Sequence, residues 1–196
     1  MVTNFLQEKI LKYRLQDKDK DAFIKCYDLY LNELYRFIFF KTNKKEDAED
    51  LTSLVFLKAW DYILNNGVKD VTTIKALLYR IARNAVIDFY RKKSSSEVSL
   101  DDVIRNDASF EVDEQFDVDD IVDGKIDKER LMENLAELKA EYREVLVLRY
   151  VNELSISEIA DVLEKNKTNV RVLIHRALSA LRVMYDKDLA TNSIRE

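Results

Sequence analysis

No proline occurs in this chain, and glycine occurs only twice, as Gly67 and Gly124. Without them the tight hairpins of a sandwich and the glycine-rich loops of dinucleotide-binding folds have no material, whereas long runs of helix-compatible residues are uninterrupted. One cysteine, Cys26, excludes an internal disulfide framework and a cysteine-cluster zinc site, and a single histidine, His175, adds little to any soft-metal chemistry. No apolar run approaches the ~20 residues of a membrane span. Met1-Val2-Thr3-Asn4-Phe5 lacks the basic segment and apolar core of a secretion signal. The expectation is a cytoplasmic protein without membrane insertion. At 196 residues it has room for two small helical domains, and the fold class is all-α.

The net charge of −5 is unevenly spread. Residues 1–93 carry 18 Lys/Arg and 13 Asp/Glu, a balance of +5; residues 94–127 carry 2 and 12, a balance of −10; residues 128–196 carry 12 of each. The acidity thus belongs to one segment, and the whole-chain value understates how positive the first part is. Local patches are what a phosphate backbone feels within a Debye length.

Apolar residues three and four apart, Phe23, Tyr27, Tyr30, Leu31, Leu34, Phe37 and Ile38, predict a long helix buried on one face. A second is predicted from about Lys45 to Leu64, stopped by Asn65-Asn66-Gly67. A third runs from about Thr73 to Lys93, and Phe5–Leu15 packs across these as a weaker one. Ser94-Ser95-Ser96 then opens a run of scattered aspartates without helical period, a flexible linker that its own charge keeps extended. Four helices follow, at roughly 128–138, 140–151, 155–164 and 167–187. Leu135, Leu138, Val145, Leu146, Leu148, Ile159, Val162, Leu163, Val170, Ile174, Leu178 and Leu181 fill their core. Ser155 with Glu158 three residues on spells a capping box.

The last two helices read as a helix-turn-helix, in which the first helix braces the DNA backbone and the second reaches base edges. Lys165, Asn166, Lys167, Thr168, Asn169, Arg171, Val172, His175 and Arg176 fall in the turn and on the exposed face. Arg and Lys suit guanine or phosphate, and Asn suits adenine. A helical hairpin with a solvated charged face has the same pattern. Between Tyr79 and Lys93, basic and aromatic residues interleave, which suits single-stranded DNA: cations follow phosphates while rings accept unstacked bases. The competing reading is a helix with aromatics in the core, and it fits Phe89 best; the terminus Arg91-Lys92-Lys93 is hard to explain as packing. Upstream, Glu46, Asp47, Glu49 and Asp50 crowd a helix start, where the macrodipole stabilises them. Glu46, Glu49 and Asp50, three and four apart on one face, also suggest the magnesium site of a helical nucleotide hydrolase, but the facing helix offers only Asp88.

Three motifs in register resemble a known family. Asp47-Ala48-Glu49-Asp50-Leu51 to Phe56-Leu57-Lys58-Ala59-Trp60, then Leu78 to Asn84, then Tyr142 to Tyr150 with the terminal helix-turn-helix, are similar to a bacterial RNA polymerase sigma factor of the extracytoplasmic-function group. The likeness extends over about residues 20–93 and 128–185. It implies that residues 1–93 are region two, residues 94–127 an acidic connector threading the polymerase channels, and residues 128–187 region four, with residues 188–196 a tail. Core RNA polymerase and promoter DNA, duplex and melted, are the implied partners. An anti-sigma factor is a further candidate, since many similar proteins are regulated that way. The 46–60 helix docks on the polymerase clamp, with Asp47, Glu49, Asp50, Phe56 and Trp60 in or beneath the contact. Asn66, Lys69, Tyr79, Arg80, Arg83 and Asn84 capture an unstacked base of the minus-ten element, and Arg91, Lys92 and Lys93 hold adjacent phosphates. Lys165, Lys167, Thr168, Asn169, Arg171, His175 and Arg176 read the minus-thirty-five element. No catalytic residue, cofactor or metal is required.

Departures from the family pattern fall in the turn, where Glu164 replaces a common Gly and Lys165 a common apolar residue, and at Leu173, where a basic residue is frequent. They bear on base preference more than on fold. A stand-alone helix-turn-helix repressor and a nucleotide hydrolase are the two rival readings.

Overall fold

The computed structural model describes residues 2–42, 44–93, 135 and 137–192. The expected linker 94–127 and most of the expected helix at 128–138 lie outside them. All described elements are helical. Four make a first bundle: α1 Val2–Gln16, α2 Lys20–Thr42, α3 Lys45–Asn66 and α4 Ile74–Lys93.

The bundle follows from where the apolar residues fall. On α3, Ala48, Leu51, Thr52, Val55, Phe56, Ala59 and Ile63 are buried, a spacing of three and four that turns one stripe inward. Phe56 and Trp60 fasten it to α2 through Phe23, whose ring centroid lies 4.8 Å from that of Trp60, and through Tyr27, 4.6 Å from Phe56. Such ring pairs contribute about 0.5–1.5 kcal/mol beyond their burial. Gly67 ends α3 at φ 68° and ψ −167°, donating its N–H to the Ile63 carbonyl. That backbone region is almost confined to glycine. The Thr73 hydroxyl caps α4 by accepting the Ala76 N–H at 3.0 Å. α1 is tied to the same corner: Lys12 donates to the Val71 carbonyl, and Glu8 accepts the Lys75 N–H. Cys26 is buried between these helices, and burial pushes its thiol up to about 12.

The second bundle comprises α5 Ala140–Leu146, a π-helical turn Val147–Val151, α6 Ile156–Leu163 and α7 Lys167–Asn192. The sequence predicts one continuous helix over 140–151. Instead its end widens, and the Asn152 N–H reaches back five residues to the Val147 carbonyl at 2.9 Å. The extra residue per turn lets both Leu148 and Leu154 point inward, fully buried. The capping box at Ser155 and Glu158 is formed as expected, with Ser155 N–H donating to Glu158 Oε2 at 2.7 Å. Leu178, expected in the core, is 40% exposed, because α7 runs on beyond the helices that cover its first half.

Glu164 closes α6 in the left-handed region, at φ 54° and ψ 39°. A side chain there costs about 1–2 kcal/mol, against about 0.5–1 kcal/mol of extra chain entropy for glycine. Glu164→Gly is therefore expected to raise the melting temperature, by about 2–4 °C for each kcal/mol gained in a chain of this size. Circular dichroism melts decide it; a lower melting temperature would mean the Glu164 side chain stabilises the turn.

The two bundles pack together, α4 against α6, and their buried apolar residues form one cluster.

Candidate functional site

Three surfaces carry the residues singled out from the sequence. The first is the face of α3 opposite its buried stripe. Successive helical residues turn about 100°, so Asp47, Asp50, Leu54, Leu57, Asp61 and Leu64 line up on that far side. Asp47 is half-buried and Glu49 and Asp50 are exposed. Phe56 is buried and Trp60 half-buried, beneath this face rather than on it. Leu54, Leu57 and Leu64 are 39, 69 and 37% exposed. None of these leucines belongs to the expected set, yet a helical projection that assigns 48, 51, 55, 59 and 63 to the core leaves them outside. An apolar row bordered by carboxylates is what an amphipathic partner helix with basic flanks fits.

The second surface is α4 with the loop before it. Asn66, Lys69 and Asn84 are exposed, and the Arg80 guanidinium lies 5.8 Å from the Tyr62 ring. At the C-terminal end Arg91 pairs with Asp88 at 3.0 Å, Lys93 lies over the Phe89 ring at 5.3 Å, and Lys92 is exposed. Tyr79 differs from the rest of its expected group. It is fully buried, its ring edge-on to Phe37 at 5.0 Å. Burial pushes the phenol well above its ordinary value, and the hydroxyl faces Glu33 and Asn152 without a well-formed hydrogen bond to either. Arg83 is half-buried, its Nε 3.2 Å from Glu144 Oε2 in the second bundle. Lys41 holds the other oxygen of that carboxylate at 2.7 Å. Burial favours the neutral acid, but the two cations and their hydrogen bonds outweigh it and hold Glu144 below its ordinary value, ionised at neutral pH.

The third surface is the start of α7. Lys165, Lys167, Thr168, Asn169, Arg171, His175 and Arg176 are all exposed, while Val170, Leu173 and Ala177 on the reverse side are buried. Asn166 accepts the Asn169 N–H at 2.8 Å and so caps α7. Lys165 pairs with Glu141 at 3.1 Å. Leu173 is a core residue, and the basic surface loses nothing by its being apolar.

Among the described residues no three His, Cys, Asp or Glu side chains converge as a metal site, and no helix is long and apolar enough to cross a membrane.

Residues 26–96 match the family model for sigma-70 region 2, and residues 128–181 match that for sigma-70 region 4. SigM of Bacillus subtilis (strain 168), an ECF RNA polymerase sigma factor, is 31% identical over 164 residues, covering 82% of this chain and 93% of the relative. The chain belongs to the extracytoplasmic-function group of RNA polymerase sigma factors. SigW of the same organism, another ECF sigma factor, is 29% identical over 184 residues, covering 89% of this chain and 96% of its own length. The fold is shared with the sigma factor RpoE of Bartonella quintana, solved in complex with the anti-sigma factor NepR, at TM-score 0.61 and 21% identity, over 84% of this chain and 96% of that one. As a sigma factor, this protein binds core RNA polymerase and directs it to promoters. The second and third surfaces lie within the matched regions 2 and 4 respectively.

Proposed function

We propose that this sigma factor docks on core polymerase through the exposed stripe of α3, with Asp47, Glu49 and Asp50 supplying charge and Leu54, Leu57 and Leu64 the apolar contact. Phe56 and Trp60 support the stripe from below. The observation carrying this reading is that stripe: three solvent-exposed leucines in a row flanked by carboxylates, on a helix whose opposite face is fully used. Asn66, Lys69, Arg80, Arg83 and Asn84 then receive an extruded base of the minus-ten element, with Tyr79 backing the helix, and Arg91, Lys92 and Lys93 follow the phosphates. Residues 1–93 act as this unit and residues 128–187 as the reader of the minus-thirty-five duplex, through Lys165, Lys167, Thr168, Asn169, Arg171, His175 and Arg176. Residues 94–127 connect the two, and residues 188–196 are a tail.

Nothing in this scheme makes or breaks a covalent bond; the protein acts by binding, in the cytoplasm. Extruding a base costs a few kcal/mol, and a site that binds the extruded base shifts the duplex toward opening. Each good base contact adds about 1–3 kcal/mol of discrimination. An inhibitor of the kind seen on RpoE of Bartonella quintana is the partner proposed for the resting state.

Titration of the purified chain into bacterial core polymerase, followed by size-exclusion chromatography, is expected to give a one-to-one complex. A folded, inhibitor-free sample that fails to co-elute would overturn docking through the α3 stripe as proposed.

A further inference from the structure

Glu144 joins cations that lie in the other bundle and far from it in sequence. Its side chain is 12% exposed, and each carboxylate oxygen takes one partner, Lys41 at 2.7 Å and Arg83 at 3.2 Å. The cations are held in place by their own bundle. The Tyr90 hydroxyl, from α4, donates to the Lys41 carbonyl at 2.7 Å, and the Lys41 ammonium lies 5.1 Å from the centroid of the Phe37 ring. Phe37 in turn packs on Tyr79, one turn before Arg83 on α4. A Lys and an Arg positioned by separate helices and converging on a two-oxygen anion form a site for a singly charged, two-acceptor group. A carboxylate is one such group. A phosphodiester is another, and guanidinium and ammonium groups are its usual partners.

We propose that Lys41 and Arg83 bind a backbone phosphate of the melted promoter strand, and that in the free chain Glu144 occupies this site in its place. The proposal rests on the assignment of α4 to the minus-ten element and adds to it a residue, Lys41, and a means of masking. Arg83 lies eight residues before Arg91, about 12 Å along the helix, so the site extends the basic terminus of α4 into a longer phosphate track. Two lesser contacts hold the same closure. The Thr73 hydroxyl donates to Glu158 Oε1 at 2.7 Å, and Asn152 lies against the Tyr79 hydroxyl. When the bundles part, water can take up the Thr73 and Glu158 groups, but Lys41 and Arg83 lose their anion together and are ready for another.

The test uses the full chain and fluorescence anisotropy of a fluorescein-labelled, mixed-sequence single strand over a series of KCl concentrations. Glu144→Gln keeps the shape but removes the competing charge. It is expected to bind roughly three- to tenfold more tightly than the unmodified chain, with a salt slope steeper by about 0.7 for the added phosphate. Lys41→Gln breaks the same contact from the other side and should bring no gain, and in combination with Glu144→Gln it should cancel the gain. No tightening in Glu144→Gln overturns the proposal. Equal tightening in both single variants, or a gain that survives in the double variant, also overturns it, because opening alone would then be the cause. If Glu144→Gln shows no cooperative melt, Lys41→Gln in the holoenzyme decides: open complexes should fall apart at lower salt than with the unmodified chain, and unchanged salt sensitivity sinks the site. Asn84→Ala in the holoenzyme reports separately on the assignment of α4 to the minus-ten element: fewer open complexes with polymerase binding kept supports it, and unchanged opening overturns it.

Discussion

Changing Leu54 and Leu57 together to glutamate is expected to abolish co-elution with core polymerase while leaving the melting temperature of the free chain almost unchanged. Both side chains project from the outer face of α3 and are 39 and 69% exposed, so neither contributes to the bundle core. At an interface the position is different. Central apolar anchors each contribute about 2 kcal/mol or more to binding, and two buried carboxylates without partners would add a further cost. The affinity loss should exceed about a hundredfold, since every 1.4 kcal/mol is a factor of ten. Phe56→Ala is the informative control. It stands one residue from Leu57 but is buried, and truncating a buried Phe costs about 3–5 kcal/mol of folding stability. It should therefore lower the melting temperature. If the leucine pair can be charged without loss of polymerase binding, the docking face lies elsewhere on the first bundle.

Tyr79 provides the second large effect. Tyr79→Ala should destabilise the chain by about 3–5 kcal/mol, as removal of a fully buried ring does. In a chain of this length that lowers the melting temperature by about 6–20 °C. Tyr79→Phe, by contrast, should be neutral or slightly stabilising. The hydroxyl is buried without a well-formed hydrogen bond, and removing such a group relieves a desolvation cost. Thermal denaturation of the two variants side by side distinguishes a packing ring from a bonded phenol. A Phe variant that loses as much as the Ala variant would show that the hydroxyl, not the ring, matters.

Much of both bundles could be read from the sequence because the signals are local. The stripe on α3, the stop at Gly67 and the capping box of Ser155 and Glu158 each depend on residues within a turn or two. The outward face of α7 is equally local, and its basic residues are exposed as expected. Other features leave no such trace. Val147-Leu148-Arg149-Tyr150-Val151 contains neither proline nor glycine, so nothing in it distinguishes a π turn from ordinary α-helix. At Glu164 the one trace is the family resemblance, which puts a common Gly there; that glutamate keeps the left-handed turn is seen in the backbone geometry alone. The burial of Tyr79 depends on Phe37 from another helix. The pairing of Lys41 with Glu144 joins residues more than a hundred positions apart, beyond the reach of any periodicity. Leu54 and Leu57 were hidden differently: leucine on a helix reads as core until the core face has been filled by other residues.

Cys26 has a use outside transcription. Its thiol is enclosed and, at about 12, almost wholly protonated at neutral pH, and it is the thiolate that attacks alkylating reagents. For maleimide chemistry the chain is nearly blank without any mutation. A pair of cysteines introduced at Tyr13 of α1 and Val183 of α7, both exposed and outside the proposed polymerase and DNA surfaces, could therefore carry donor and acceptor dyes, and the separation of the two bundles could be followed one molecule at a time as polymerase is added.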